Sequence, residues 1–278
     1  MMRHTSDQEQ PATMSRREQL RKKGIYLFPN LFTLAALFGG FYAIVMAMNR
    51  QYDSAAVGIF CAMILDGFDG RVARMTGTAS EFGEQFDSLS DMVSFGAAPA
   101  LVMYEWALRD LGKLGWIAAF VFCACGALRL ARFNANIGVV DKRFFQGLPS
   151  PAAAAIVAGF VWMMTNMEFN GRQLSWLAFV LTLFAGLTMV SNIPFYSFKV
   201  INLRKSVPFI VLVVIALALA LIAYKPAHVL FFVFMCYGVS GYVVYFWQRC
   251  HGKKVSLLKK DAGSKQNEDA DSEKNLHD

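Results

Sequence analysis

The stretch "DGFDGRVARMTGTASEFGEQFDSLSD", residues 66–91, sets four aspartates and two arginines between long apolar runs. On a helix, Asp66, Asp69, Gly70, Ala73 and Arg74 fall at i, i+3, i+4, i+7 and i+8, so they share one face. Gly83, Asp87 and Asp91 repeat that pattern at i, i+4 and i+8 on the next helix. The short connection between the two turns the stripes toward each other, and four carboxylates are expected to converge.

The surroundings of this stretch are oil. Of the 278 residues 56% are hydrophobic, and the mean hydropathy of +0.39 exceeds what one soluble core can hide from water, so an all-α integral membrane protein is predicted. A bilayer takes about twenty residues of helix. Uncharged runs of that order occur at Leu31 to Met48, Phe144 to Met167, Gln173 to Phe198, Ser206 to Tyr224 and Pro226 to Gln248. Three shorter runs, Ser54 to Leu65, Met92 to Tyr104 and Leu114 to Leu128, must borrow charged flanks, which brings ionisable groups below the headgroups. The total is about eight transmembrane helices. Residues 1–25 read as a cytoplasmic N-terminal segment, 26–248 as the transmembrane catalytic domain and 249–278 as a polar tail, predicted to be disordered.

Eight spans put both termini on one side. Of the 27 Lys and Arg residues only Arg50, Arg109, Lys113, Arg172 and Lys225 fall in connections on the far side, leaving 22 on the side of the termini and of residues 66–91. By the positive-inside rule that side is cytoplasmic. The first span is expected to act as its own insertion signal, since a long polar segment precedes it. The net charge of +7 gathers beside the spans, where anionic lipid headgroups attract it, and does not point to nucleic acid. "SRREQLRKKGIYLFPN", residues 15–30, has Ser15 and Glu18 in capping-box spacing within a basic run. It reads either as a short juxtamembrane helix on the membrane surface or as a topogenic charge cluster. The five cysteines show no metal or disulfide spacing and read as reduced packing residues.

An aspartate near the bilayer centre costs roughly 3 kcal/mol, and like charges held close add to that. Four together call for cations. Arg71 and Arg74 are one source; two divalent ions are the other, and oxygen-only ligands select hard metals such as Mg²⁺ or Mn²⁺. Gly70 and Ala73 leave room on the acidic face for a ligand or a close helix contact. His4, His228, His251 and His277 lie in tails or on the opposite side, so proton transfer falls to a carboxylate.

The pattern Asp66-Gly67-x-x-Gly70-x-x-Ala73-Arg74, followed by Gly83, Asp87 and Asp91 and with Asp69 as a further acid, resembles the signature of the CDP-alcohol phosphotransferase family. "LFPNLFTLAALFGGFYAI", "SEFGEQFDSLSDMVSFGAAPA", "LRLARFN" and "FQGLPSPAAA" are similar to bacterial membrane-embedded members that use L-serine as acceptor, over roughly residues 25–165. "AALFGG" departs from the "ANLFCG" of those members.

The resemblance implies the family's fold, a bacterial inner-membrane location, a homodimer, and transfer of the phosphatidyl group of CDP-diacylglycerol to L-serine with release of CMP. It implies two divalent cations, with Asp66 and Asp87 bridging both, Asp69 completing one, and Asp91 completing the other and acting as base. Asn30, Gly70, Arg74 and Ser80 would bind CDP-diacylglycerol, although Asn30 also suits a helix N-cap. Arg129 and Arg132, one turn apart at the end of span four, are candidates for the serine carboxylate, their alternative being ordinary headgroup contact. Other acceptors, namely glycerol 3-phosphate, inositol phosphate or choline, would use the same chemistry. A cation transporter would instead spread its acids through the membrane depth. A covalent histidine route needs paired H-x-K-x-x-x-x-D motifs, whereas this chain has His251-Gly252-Lys253 with Leu258 in place of the acid.

Overall fold

A computed structural model describes residues 16–77, 80–135, 144–196 and 209–250. Ser15, the tail beyond Cys250 and three of the four histidines lie outside the described residues. The helices are α1 (Arg16–Met48), α2 (Tyr52–Thr76), α3 (Glu81–Asp91), α4 (Ala98–Trp106), α5 (Lys113–Ala135), α6 (Ser150–Asn166), α7 (Ser175–Val190), α8 (Phe209–Tyr224) and α9 (Pro226–Cys250). A π-helical segment, Met92–Ala97, joins α3 to α4 without a break, so the described residues form eight helical rods. The basic N-terminal stretch is helical from Arg16 and runs straight into the first span as part of α1.

Four helical segments, Pro29–Met48, Lys113–Ala135, Gly171–Val190 and Pro226–Trp247, are long and apolar enough to cross a membrane. Ser150–Asn166 and Val211–Tyr224 are apolar but shorter. The remaining two rods, α2 and α3–α4, carry the acidic stripes. Phe38, Phe120, Trp176, Val180, Leu217 and Phe246 are exposed on the outer faces, where lipid tails replace water as the solvent, and the protein is an integral membrane protein.

Small residues decide how closely the rods approach. Gly39 and Gly58 sit face to face, each so near the other's carbonyl that a Cβ would lie 3.0 Å from it, and this seam locks α1 to α2. A Cβ on Gly40 would lie 2.6 Å from Ser94 Cα in the π segment, while Ser90 and Ser94 donate to the α1 carbonyls of Thr33 (3.1 Å) and Ala36 (3.0 Å). Gly126 of α5 meets Gly96 from the opposite side. The extra residue per turn in a π segment re-aims the side chains before and after it, and here it lies directly after Asp91. Helix α6 fills the centre: every residue from Ala152 to Val161 is buried, and the alanines let its neighbours close in.

Two expected spans are shorter than their apolar runs. Residues Phe144–Gln146 and Pro194–Tyr196 are strands β1 and β2, paired antiparallel with Phe145 opposite Phe195. Gly147, at φ +77°, then makes a turn so tight that a Cβ would lie 2.2 Å from the Met189 carbonyl oxygen. Its N–H donates to Ile193 O at 2.9 Å. Pro149 and Pro151 open α6, because a proline at a helix start leaves no internal N–H bond unmade. At the other end of the bundle Tyr52 donates to the Glu105 carbonyl (3.1 Å), Arg172 pairs with Asp110 (3.2 Å), and a polar cavity of about 700 Å³ opens between these connections.

Gly40→Val should force α1 from the π segment and cost about 1–3 kcal/mol, the usual penalty of overpacking. Thermal unfolding in detergent measures it, and an unchanged midpoint would contradict this contact.

Candidate active site

Asp66 and Asp69 come from the last turns of α2, Asp87 and Asp91 from the second half of α3. The connection between the helices begins at Gly77, whose φ of +63° caps α2 in the left-handed conformation. It ends at Ser80, the N-cap of α3, whose Oγ accepts from Gly83 N–H at 3.1 Å. Three of the four carboxylates expected to converge do so: ligand atoms of Asp66, Asp69 and Asp87 lie within 4.8 Å of one another, and Asp91 is not in that group.

Each acid is held differently. Asp69 is buried; its Oδ2 accepts from Thr33 Oγ1 of α1 at 2.9 Å and its Oδ1 from the N–H of Gly70. Thr33 in turn offers its carbonyl to Ser90, so α1, α2 and α3 are stitched together beside the cluster. Asp87 Oδ1 and Asp91 Oδ1 are sealed from solvent without a hydrogen-bond partner. Asp91 lies one turn beyond Asp87, and the Asp66 carboxylate and the Arg129 guanidinium are both near enough to act on its charge. Buried carboxylate oxygens without donors, beside two further carboxylates, are the donor set of a hard cation. The residues present therefore fit divalent metal.

The other expected residues spread around this cluster. Gly70 is exposed, and a Cβ there would meet nothing within 4 Å, so the acidic face opens onto free space. Arg74 is exposed in the last turn of α2. Asn30 and Ser80 converge on Gly83, where an added Cβ would lie 3.3 Å from Asn30 Oδ1 and 3.2 Å from Ser80 Oγ. Asn30 sits inside α1 and is not a helix cap; Ser80 is one, a role the sequence reading did not assign to it.

The two arginines of α5 part company. Arg132 Nη1 donates to the Val190 carbonyl (3.0 Å) and Asn192 Oδ1 (3.2 Å), tying the end of α5 to the turn before β2. Arg129 Nη1 donates to Ser150 Oγ at 2.8 Å, while its Nε is buried without an acceptor. Asn134 donates to Ser88 Oγ at 3.0 Å and draws α5 against α3. Ser150 was missed in the sequence because its signal, a serine between two prolines, reads equally as a helix start.

Residues 26–190 match the description of the CDP-alcohol phosphatidyltransferase family. The chain belongs to that family. The matched segment of this CDP-alcohol phosphatidyltransferase contains every residue of the acidic cluster and Arg129, and it ends at the close of α7. The chain is 37% identical over 222 residues to the CDP-diacylglycerol–serine O-phosphatidyltransferase of Helicobacter pylori strain J99, covering 79% of this chain and 92% of the relative. To the protein of the same name from Methanocaldococcus jannaschii it is 37% identical over 188 residues, 66% of this chain and 82% of that one. The corresponding Bacillus subtilis protein is 33% identical over 173 residues, 62% of this chain and 90% of the relative.

Thr33→Val keeps the shape of the side chain but leaves the buried Asp69 oxygen without its donor, which should cost about 1–3 kcal/mol. Thr33→Ser should retain most of the stability. Equal unfolding midpoints for the valine variant and the parent in detergent would contradict the role given to this bond.

Proposed function

We propose that the protein transfers the phosphatidyl group of CDP-diacylglycerol to the hydroxyl of L-serine, giving phosphatidylserine and CMP. The observation that carries this reading is the convergence of Asp66, Asp69 and Asp87 within 4.8 Å, with the partnerless Oδ1 of Asp91 one turn on from Asp87. The carboxylates suit the metal ions of a diphosphate, and the half-buried Arg129 suits the carboxylate of an amino acid. The shared name of the Helicobacter, Methanocaldococcus and Bacillus relatives supports the same acceptor.

Asp66, Asp69, Asp87 and Asp91 would hold two divalent cations, Mg²⁺ or Mn²⁺, whose charge offsets that of the diphosphate and of the departing CMP. The open face at Gly70 admits the nucleotide, Arg74 supplies charge-assisted bonds to phosphate, and Asn30 and Ser80 offer polar groups at its rim. Arg129 binds the serine carboxylate through the donors it does not spend on Ser150. Arg132, already committed to Val190 and Asn192, positions the turn that backs this pocket. Asp91 takes the hydroxyl proton as the serine oxygen bonds to the phosphorus of the phosphatidyl group and the bond from that phosphorus to CMP breaks. The displacement is direct, with no covalent enzyme intermediate.

The excess of Lys and Arg on the side of the cluster supports an active site and both termini facing the cytoplasm, in a bacterial inner membrane. A homodimer is the expected assembly.

Purified protein supplied with CDP-diacylglycerol should release CMP and phosphatidylserine in equal amounts with L-serine, and no lipid product with glycerol 3-phosphate. Asp91→Asn should abolish both products while CDP-diacylglycerol still binds. Turnover with glycerol 3-phosphate instead of serine would overturn the acceptor, and normal CMP release by the asparagine variant would overturn the base.

A further inference from the structure

The acceptor end of the site has one feature that the reaction as described leaves unused. Ser150, the first residue of α6, is 1% exposed, and its oxygen accepts from Arg129 Nη1 at 2.8 Å. That bond occupies the oxygen and leaves the hydroxyl hydrogen without an acceptor among the described residues. The neighbouring Arg129 Nε–H is likewise buried and unspent. Two donors held side by side away from water, one polarised by the other's positive charge, are an incomplete set that a carboxylate with two oxygens completes.

We propose that Ser150 is a second binding group for the acceptor's carboxylate, acting as a pair with Arg129. This rests on the reading of Arg129 as the acceptor's anchor. It makes the acceptor pocket a joint product of α5 and α6, whereas the diphosphate end needs only α1, α2 and α3.

The test compares Arg129→Ala, Ser150→Ala and Ser150→Thr in full-length protein, with KM measured separately for L-serine and CDP-diacylglycerol and thermal unfolding followed alongside. Loss of a hydrogen bond to a charged group predicts a serine KM raised roughly ten-fold or more in Ser150→Ala. The KM for CDP-diacylglycerol should stay at the parent value even where the unfolding midpoint falls, and Ser150→Thr, which keeps a hydroxyl, should recover most of the serine affinity. If Arg129→Ala raises the serine KM while Ser150→Ala does not, the pairing is wrong and the anchor stands. If Arg129→Ala itself leaves the serine KM unchanged, the anchor is wrong and the pairing falls with it. A parallel rise in both KM values would reduce these residues to packing and overturn the proposal.

Discussion

Carboxylates crowded where two membrane helices meet are the constraint around which the rest of this protein is arranged. Each would be cheaper in water, and like charges brought within 4.8 Å oppose the contact that unites them. The bundle answers with directed polar contacts from a third helix: Thr33 donates to Asp69, and Ser90 and Ser94 donate back to α1. Glycines at positions 39, 40 and 58 let those helices come near enough for such bonds to form. What these contacts leave unsatisfied, one oxygen each on Asp87 and Asp91, marks where a cation belongs.

The site also has a direction. From Gly70 and the Asn30–Ser80 rim, through the acidic cluster, to Asp91 and on to Arg129, the groups pass from open and anionic to more enclosed and cationic. In the proposed reaction a substrate with a charged diphosphate would enter at one end and a zwitterion would meet it at the other. The π segment directly after Asp91 contributes to this order, since it alters the aim of the rod where the two halves of the site meet.

Much of this was legible in the chain. The 3.6-residue period alone puts Asp66, Asp69, Asp87 and Asp91 on two faces, and a short connection forces those faces together, so little tertiary information was needed. Hydropathy found the rods for the same reason: length and polarity decide what crosses a bilayer. It failed at residues 144–146 and 194–196, because a three-residue strand inside an apolar run has the same hydropathy as the helix beside it, and only Gly147 and the nearby prolines hint at the break. Residues 129 and 132 looked equivalent at one turn apart; their partners, Ser150 and the 190–192 turn, come from distant parts of the sequence and separate them.

The proposed chemistry requires that the converged carboxylates bind divalent ions. The direct measurement is Mn²⁺ binding to the purified protein by electron paramagnetic resonance, for the parent and for Asp66→Asn and Asp87→Asn. Two bound ions per chain in the parent, and a loss of binding in both variants, is the result expected. Mn²⁺ binding that is absent from the parent, or equally strong after either substitution, would contradict it.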